Sequence, residues 1–80
     1  MYQRVDGDQY MSDIDASEHY ADSYILIRRD SMYSEQGTVL YIGDNMEELL
    51  TVRMSLNEPY CGIVEGLSFQ RSLGGVVVGG

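Results

Sequence analysis

The sequence predicts an α+β fold: a small antiparallel sheet of three to five strands with one main helix packed on it. Three observations predict this. Two short runs are β-branched and apolar on both alternating faces, one stretch is helically amphipathic with start and stop signals, and the chain is too short for a second core. Its 80 residues, 44% hydrophobic and 22% charged, make a single domain (1–80) that can bury a core and is not compositionally disordered.

The segments "YILIRR" (24–29) and "TVLYI" (38–42) read as well-buried strands. The polar "DSMYSEQG" between them makes the pair an antiparallel hairpin with a longer loop. Gly43 ends the second strand, and "DNMEELLTVRMSLNEP" follows. Asp44 stands three residues before Glu47, a capping-box spacing, and acids in a first turn suit the helix dipole. Met46, Leu50 and Met54 form one row and Leu49, Val52 and Leu56 its neighbour, so a wide apolar face is expected. Pro59 prevents continuation, which places the helix at about 45–56. Arg53 falls within that apolar face; its stem is expected to pack while the guanidinium reaches water or an acid at the sheet's edge.

"YCGIVEG" (60–66) reads as a third strand, with Gly62 marking a bulge or a close approach. "LSFQRS" fits either a strand or a short turn, and Val76–Val78, in the Gly-rich tail 74–80, is a candidate edge strand. Near the N-terminus, "YQRV" and "QYMSDI" fit a hairpin around Asp6–Gly7, and "DASEHYAD" fits one or two helical turns. A single helix covers one face of a sheet whose central strands are apolar on both. The other cover is either the N-terminal segment or a second copy of the chain, a homodimer.

Charge is distributed unevenly. Thirteen acids face five arginines, for a net charge of −8. Residues 1–22 hold six of the acids (Asp6, Asp8, Asp13, Asp15, Glu18 and Asp22) and only Arg4, a net of −5, while residues 23–80 carry −3. Such a chain is repelled by nucleic acid and anionic membranes and attracted to basic surfaces, so no direct nucleic-acid or membrane partner is expected. Cys61 is the only cysteine, which excludes an internal disulfide and makes a reducing, cytoplasmic setting the simpler expectation. The start "MYQRVDGDQY" has no signal-peptide or transit-peptide pattern, and no apolar run approaches membrane-spanning length.

Catalytic and metal chemistry find few candidates. His19 is the only histidine, and a Cys61–His19 dyad would pair a residue of a polar stretch with one of an apolar strand. "DIDASE" sets Asp13, Asp15 and Ser17 at calcium-loop spacing, but Glu18 stands where that loop needs Gly and Tyr24 where it needs its bidentate Glu. Zinc would need more Cys or His, and "GDN" at 43–45 is too short for a phosphate loop. The expectation is a protein that is not an enzyme and carries no metal or cofactor.

The acidic segment admits three uses: a solvated face, an arm ordered on binding, or a rigid surface that copies nucleic-acid phosphates and fills a basic groove. Tyr10, His19, Tyr20 and Tyr24 alternate with its acids, and carboxylates interleaved with aromatics suit arginine-rich partners. In size, acidity and lack of a catalytic constellation the chain resembles the small phage-encoded anti-CRISPR proteins. That resemblance implies a stoichiometric inhibitor, cytoplasmic in an infected bacterial host, that binds a CRISPR effector complex and blocks its target-DNA or PAM-reading site. Asp6, Asp8, Asp13, Asp15, Glu18 and Asp22 would carry it, with Tyr10 and Tyr20 as anchors and Asp30 and Glu35 of the hairpin loop extending the surface. The order hairpin–helix–strand and the Gly79–Gly80 end also resemble the ubiquitin-like sulfur carriers of the β-grasp fold, which implies a tail carboxylate activated by a partner enzyme. The acidic segment before the first hairpin, and only 14 residues after Gly66, depart from that pattern. A small structural or adaptor domain is the third alternative.

Overall fold

The two continuous apolar runs form the middle of the molecule. In the computed structural model, which describes residues 1–7 and 9–70, they are β3 (Tyr24–Arg29) and β4 (Gln36–Gly43). The other elements are β1 (Tyr2–Arg4), β2 (Tyr10–Ser12), α1 (Asp13–His19), α2 (Met46–Leu56) and β5 (Cys61–Glu65). Five strands make one wholly antiparallel sheet, with β5 beside β3, β3 beside β4, and both β1 and β2 on the far side of β4.

Because β3 is central, its alternate side chains enter two small cores, one under each face, although the chain's length predicts no second core. Ile25 and Ile27 pack with Val39, Val64 and Ala16 of α1 on one face. Leu26 packs with Leu49 of α2 and Cys61 on the other. The cover missing from the sequence prediction of one main helix is therefore the N-terminal segment: α1 lies on the face that α2 leaves open. Ala16 on α1 and Leu49 on α2 are both fully buried, one under each face.

The N-terminal strands depart from the expected hairpin. Tyr2–Arg4 pairs with Gly43–Tyr41 and Tyr10–Ser12 with Thr38–Gln36, so β1 and β2 run in the same direction as one interrupted edge strand. The interruption coincides with a bulge in β4, where Leu26 faces Tyr41 but Ile27 faces Val39, leaving Leu40 as the extra residue. Residues between β1 and β2 loop away at this point, with Gly7 at φ +82°.

Helix α2 begins one residue later than expected. Asn45, not Asp44, is its N-cap and accepts from the Glu47 amide at 2.9 Å. Asp44 instead holds the N-terminal ammonium at 2.6 Å, which Glu48 also approaches at 3.2 Å. The apolar face is narrower than the sequence implied: Leu49 is buried and Val52 and Leu56 are half-buried, whereas Leu50 and Met54 are exposed. Arg53 is exposed too, and its Nε donates to the Cys61 carbonyl at 3.0 Å rather than to an acid. The ambiguous residues 67–70 form a helical turn, where Phe69 stacks on Tyr24 with ring centroids 4.3 Å apart. Asp8, the Val76–Val78 segment and Gly79–Gly80 lie outside the described residues. No helix among the described residues is long and apolar enough to cross a membrane.

Candidate acidic docking surface

Ser12 ends β2 and starts α1, its hydroxyl accepting from the Asp15 amide at 3.1 Å. The Asp13 amide donates to the Glu35 carbonyl at 2.9 Å, which fastens the start of α1 to the end of the β3–β4 loop. Chain segments twenty residues apart in sequence thus meet at one end of the sheet. Tyr10 adds a second tie to that loop, its hydroxyl donating to Asp30. That bond and the nearby Asp30 charge raise the Tyr10 phenol above its ordinary pKa.

This end gathers Asp15, Asp30 and Glu35, all exposed, and none lies within ion-pair distance of a cation among the described residues. One turn along α1, Glu18 stands on the same side as Asp15. Asp15, Glu18 and His19 rim a shallow depression whose remaining lining is Met11. A lysine or arginine of a partner can lay its aliphatic stem on Met11 and its charged head between the two carboxylates. Around them the loop exposes Met32 and Tyr33, the latter 88% accessible, and Tyr10 stays half open. Neither Met32 nor Tyr33 was singled out from sequence. The only signal was an apolar pair, "MY", placed mid-loop between polar residues.

The other predicted site residues lie elsewhere or are occupied. Asp13 is neutralised by the chain's own Arg29, Nη2 to Oδ2 at 2.9 Å. That arginine lies over Gly62, where a side chain would collide with its guanidinium, so the close approach anticipated at Gly62 is a side chain crossing the strand. Tyr20 is half-buried against the α1-side core, with its hydroxyl on Gln9 at 2.8 Å, and is a packing residue rather than an exposed anchor. Asp22 is exposed at the opposite end of α1 and accepts from the Ser68 hydroxyl at 2.7 Å. Asp6 lines a groove of about 390 Å³ on the α2 side of the sheet, in the company of Arg4, Arg28 and Glu58 and apart from the α1 end. The predicted acidic surface is thus split, and its coherent part is Asp15, Glu18, Asp30 and Glu35 with Tyr10.

His19 and Cys61 are separated by the sheet, the first on the helix covering one face and the second in the core under the other. Burial pushes the Cys61 thiol up, away from the thiolate a nucleophile needs, with the Glu58 charge acting in the same direction. Among the described residues no three His, Cys, Asp or Glu side chains converge on a common point. Comparison with protein-family models, curated proteins and solved structures gives no match, so only the chain's own residues bear on function.

Proposed function

We propose that this chain is a non-enzymatic protein-binding domain that docks on a cationic surface through the end formed by α1 and the β3–β4 loop. One observation carries the proposal. Asp15, Glu18, Asp30 and Glu35 stand together with no cation of the described residues within ion-pair distance, and exposed Tyr33, Met32 and half-open Tyr10 interrupt them. Carboxylates attract a basic groove at long range, and the aromatic and thioether side chains supply contact area once it arrives. Surfaces that bind nucleic acid supply such grooves, so the domain would act by competing with nucleic acid for its partner. In its sharper form the partner is a DNA-binding CRISPR effector complex and the outcome is loss of target-DNA binding, in keeping with the anti-CRISPR-like size and acidity of the chain.

The test compares two charge-matched variants for competition with labelled duplex DNA on such a complex. D15N/E18Q/D30N/E35Q neutralises the proposed surface. D22N/D44N/E47Q/E48Q removes the same charge at the opposite end of the fold. The first is expected to lose competition and flatten its salt dependence, while the second keeps both. Equal losses would reduce the effect to net charge and refute a defined docking surface. Failure of the unaltered protein to compete would refute the CRISPR form.

A further inference from the structure

We propose that β1 is a self-association edge, at which two copies of this chain join their sheets antiparallel about a two-fold axis through Gln3. The two edges of the sheet differ in how their outward backbone groups are treated. On β5 the bonds from the Arg29 amide to the Tyr60 carbonyl and from the Gly66 amide to the Ser23 carbonyl fix the alternation. Cys61, Ile63 and Glu65 therefore point their amides and carbonyls away from β3. Two of those carbonyls are occupied by side chains: Arg53 donates to Cys61, and Ser17 and Gln70 donate to Glu65. This edge is blocked at both ends against another strand.

The β1 edge is open. Its alternation is set by the Val5 amide on the Leu40 carbonyl and the Asp44 amide on the Met1 carbonyl, so Gln3 faces β4 while Tyr2 and Arg4 face outward. No described residue meets those outward groups, and all three strand residues are exposed. β2 shares this side of the sheet but turns directly into α1, which leaves β1 as the accessible stretch.

The occupant follows from the sequence of the edge itself. In an antiparallel pair centred on Gln3, Tyr2 stands opposite Arg4 of the second copy, and the two residues exchange both backbone hydrogen bonds. By symmetry Arg4 and the second copy's Tyr2 do the same, and every outward group of the strand is satisfied. Directly opposite residues project to the same face, so each Tyr2 ring meets the other copy's Arg4 guanidinium, a favourable cation–π pair. The two Gln3 amides meet across the axis. In a chain with only five arginines, one sits where a second copy presents an aromatic ring.

Sedimentation equilibrium of the full chain across micromolar to millimolar concentration, with backbone amide NMR over the same range, tests this. The expected result is a doubling of mass with shift changes at Tyr2 and Arg4 and none at Cys61, Ile63 or Glu65. R4P, which removes an outward amide and the cation, is expected to be monomeric. I63P, which removes an outward amide from the blocked edge, is expected to dimerise like the parent. Should R4P fail to fold, R4E at the same exposed position is expected to weaken association at least tenfold. Each copy carries −8, so added salt is expected to tighten the dimer, the opposite of its effect on docking to a basic partner. A monomer at millimolar concentration would overturn the proposal. So would shift changes confined to β5 or to Leu50 and Met54.

Discussion

Arg29 decides whether Asp13 belongs to the protein's interior chemistry or to its outer charge, and a double-mutant cycle measures which. The perturbations are R29M, which keeps an unbranched aliphatic stem but removes the guanidinium that lies over Gly62, and D13N, which keeps the shape of the acid. The ion pair has one 2.9 Å contact, with side chains 23% and 31% exposed. Fully exposed pairs contribute roughly 0–1 kcal/mol and breaking a fully buried one costs roughly 3–5 kcal/mol. An intermediate pair should therefore couple by about 1–2 kcal/mol. The other oxygen, Asp13 Oδ1, is buried and has no hydrogen-bond partner among the described residues, so R29M alone strands a desolvated carboxylate. R29M should thus destabilise more than D13N. For a domain of this size, about 1 kcal/mol lowers Tm by roughly 4–8 °C. Urea midpoints of the parent, both single variants and the double variant supply the cycle. A coupling below about 0.3 kcal/mol, the ordinary error of additivity, would refute the internal pairing and return Asp13 to the docking surface. G62A offers an independent probe. Its Cβ would meet the guanidinium, with Arg29 Cζ at 3.3 Å, and should displace the arginine and reduce the same coupling.

Three further outcomes are expected. L49A empties the centre of the α2-side core, where Leu49 is fully buried, and should cost about 2–5 kcal/mol; a urea-midpoint change below about 1 kcal/mol would mean that α2 does not cap this face. D30N removes the group that raises Tyr10, so one tyrosine should ionise at lower pH than in the parent when absorbance is followed through alkaline titration; because the native phenol is raised, the Tyr10–Asp30 tie is complete below pH 10.0 and is lost as pH rises through the native pKa. The N-terminal ammonium is raised from 8.0 chiefly by its hydrogen bond to Asp44, and Asp44 is lowered from 3.8 by the same bond. That clasp should therefore be whole between these values, fading above as the native ammonium deprotonates and below as the native carboxyl protonates. Methyl resonances of Met1 followed against pH should move at both limits and, in D44N, lose the acid step.

What could be read from sequence was whatever the local pattern determines. β3 and its hairpin partner β4 were legible because continuous apolar runs have few other uses, and their two apolar faces correctly demanded two covers. α2 was legible from its periodicity and Pro59, and its cap was misplaced by one residue because Asp44 and Asn45 are both good cap residues. Only the position of the N-terminal ammonium, a tertiary fact, separates their roles. The positions of β1 and β2 were legible within "YQRV" and "QYMSDI", but their pairing was not: each strand has three residues, and nothing in them encodes the bulge at Leu40 that divides the edge between them. The docking surface was half legible. Density of charge along the chain is visible in sequence, but neutralisation of Asp13 by Arg29 and the placing of Asp6 in the groove lined by Arg4 and Arg28 are not. The meeting of Asp15 with Asp30 and Glu35 depends on the Asp13–Glu35 backbone bond, which no residue type announces.

The placement of charge also bears on how the two proposed surfaces coexist. A chain of net −8 repels its copies, and association through the α1 end would bring the densest unneutralised carboxylates together. β1 lies where that repulsion is least. Arg4 is on the edge itself, Arg28 lines the adjoining groove, and at the strand's start the ammonium offsets part of the charge of Asp44 and Glu48. Two copies joined at β1 would hold their acidic ends away from the shared edge and present two cation-seeking surfaces instead of one. Bivalent docking raises effective affinity only where a partner offers two basic sites within reach. R4E should accordingly weaken binding to a repetitive basic target, such as an immobilised polyarginine, far more than binding to a single soluble arginine-rich peptide. Equal weakening on both would mean that the edge and the acidic end act independently.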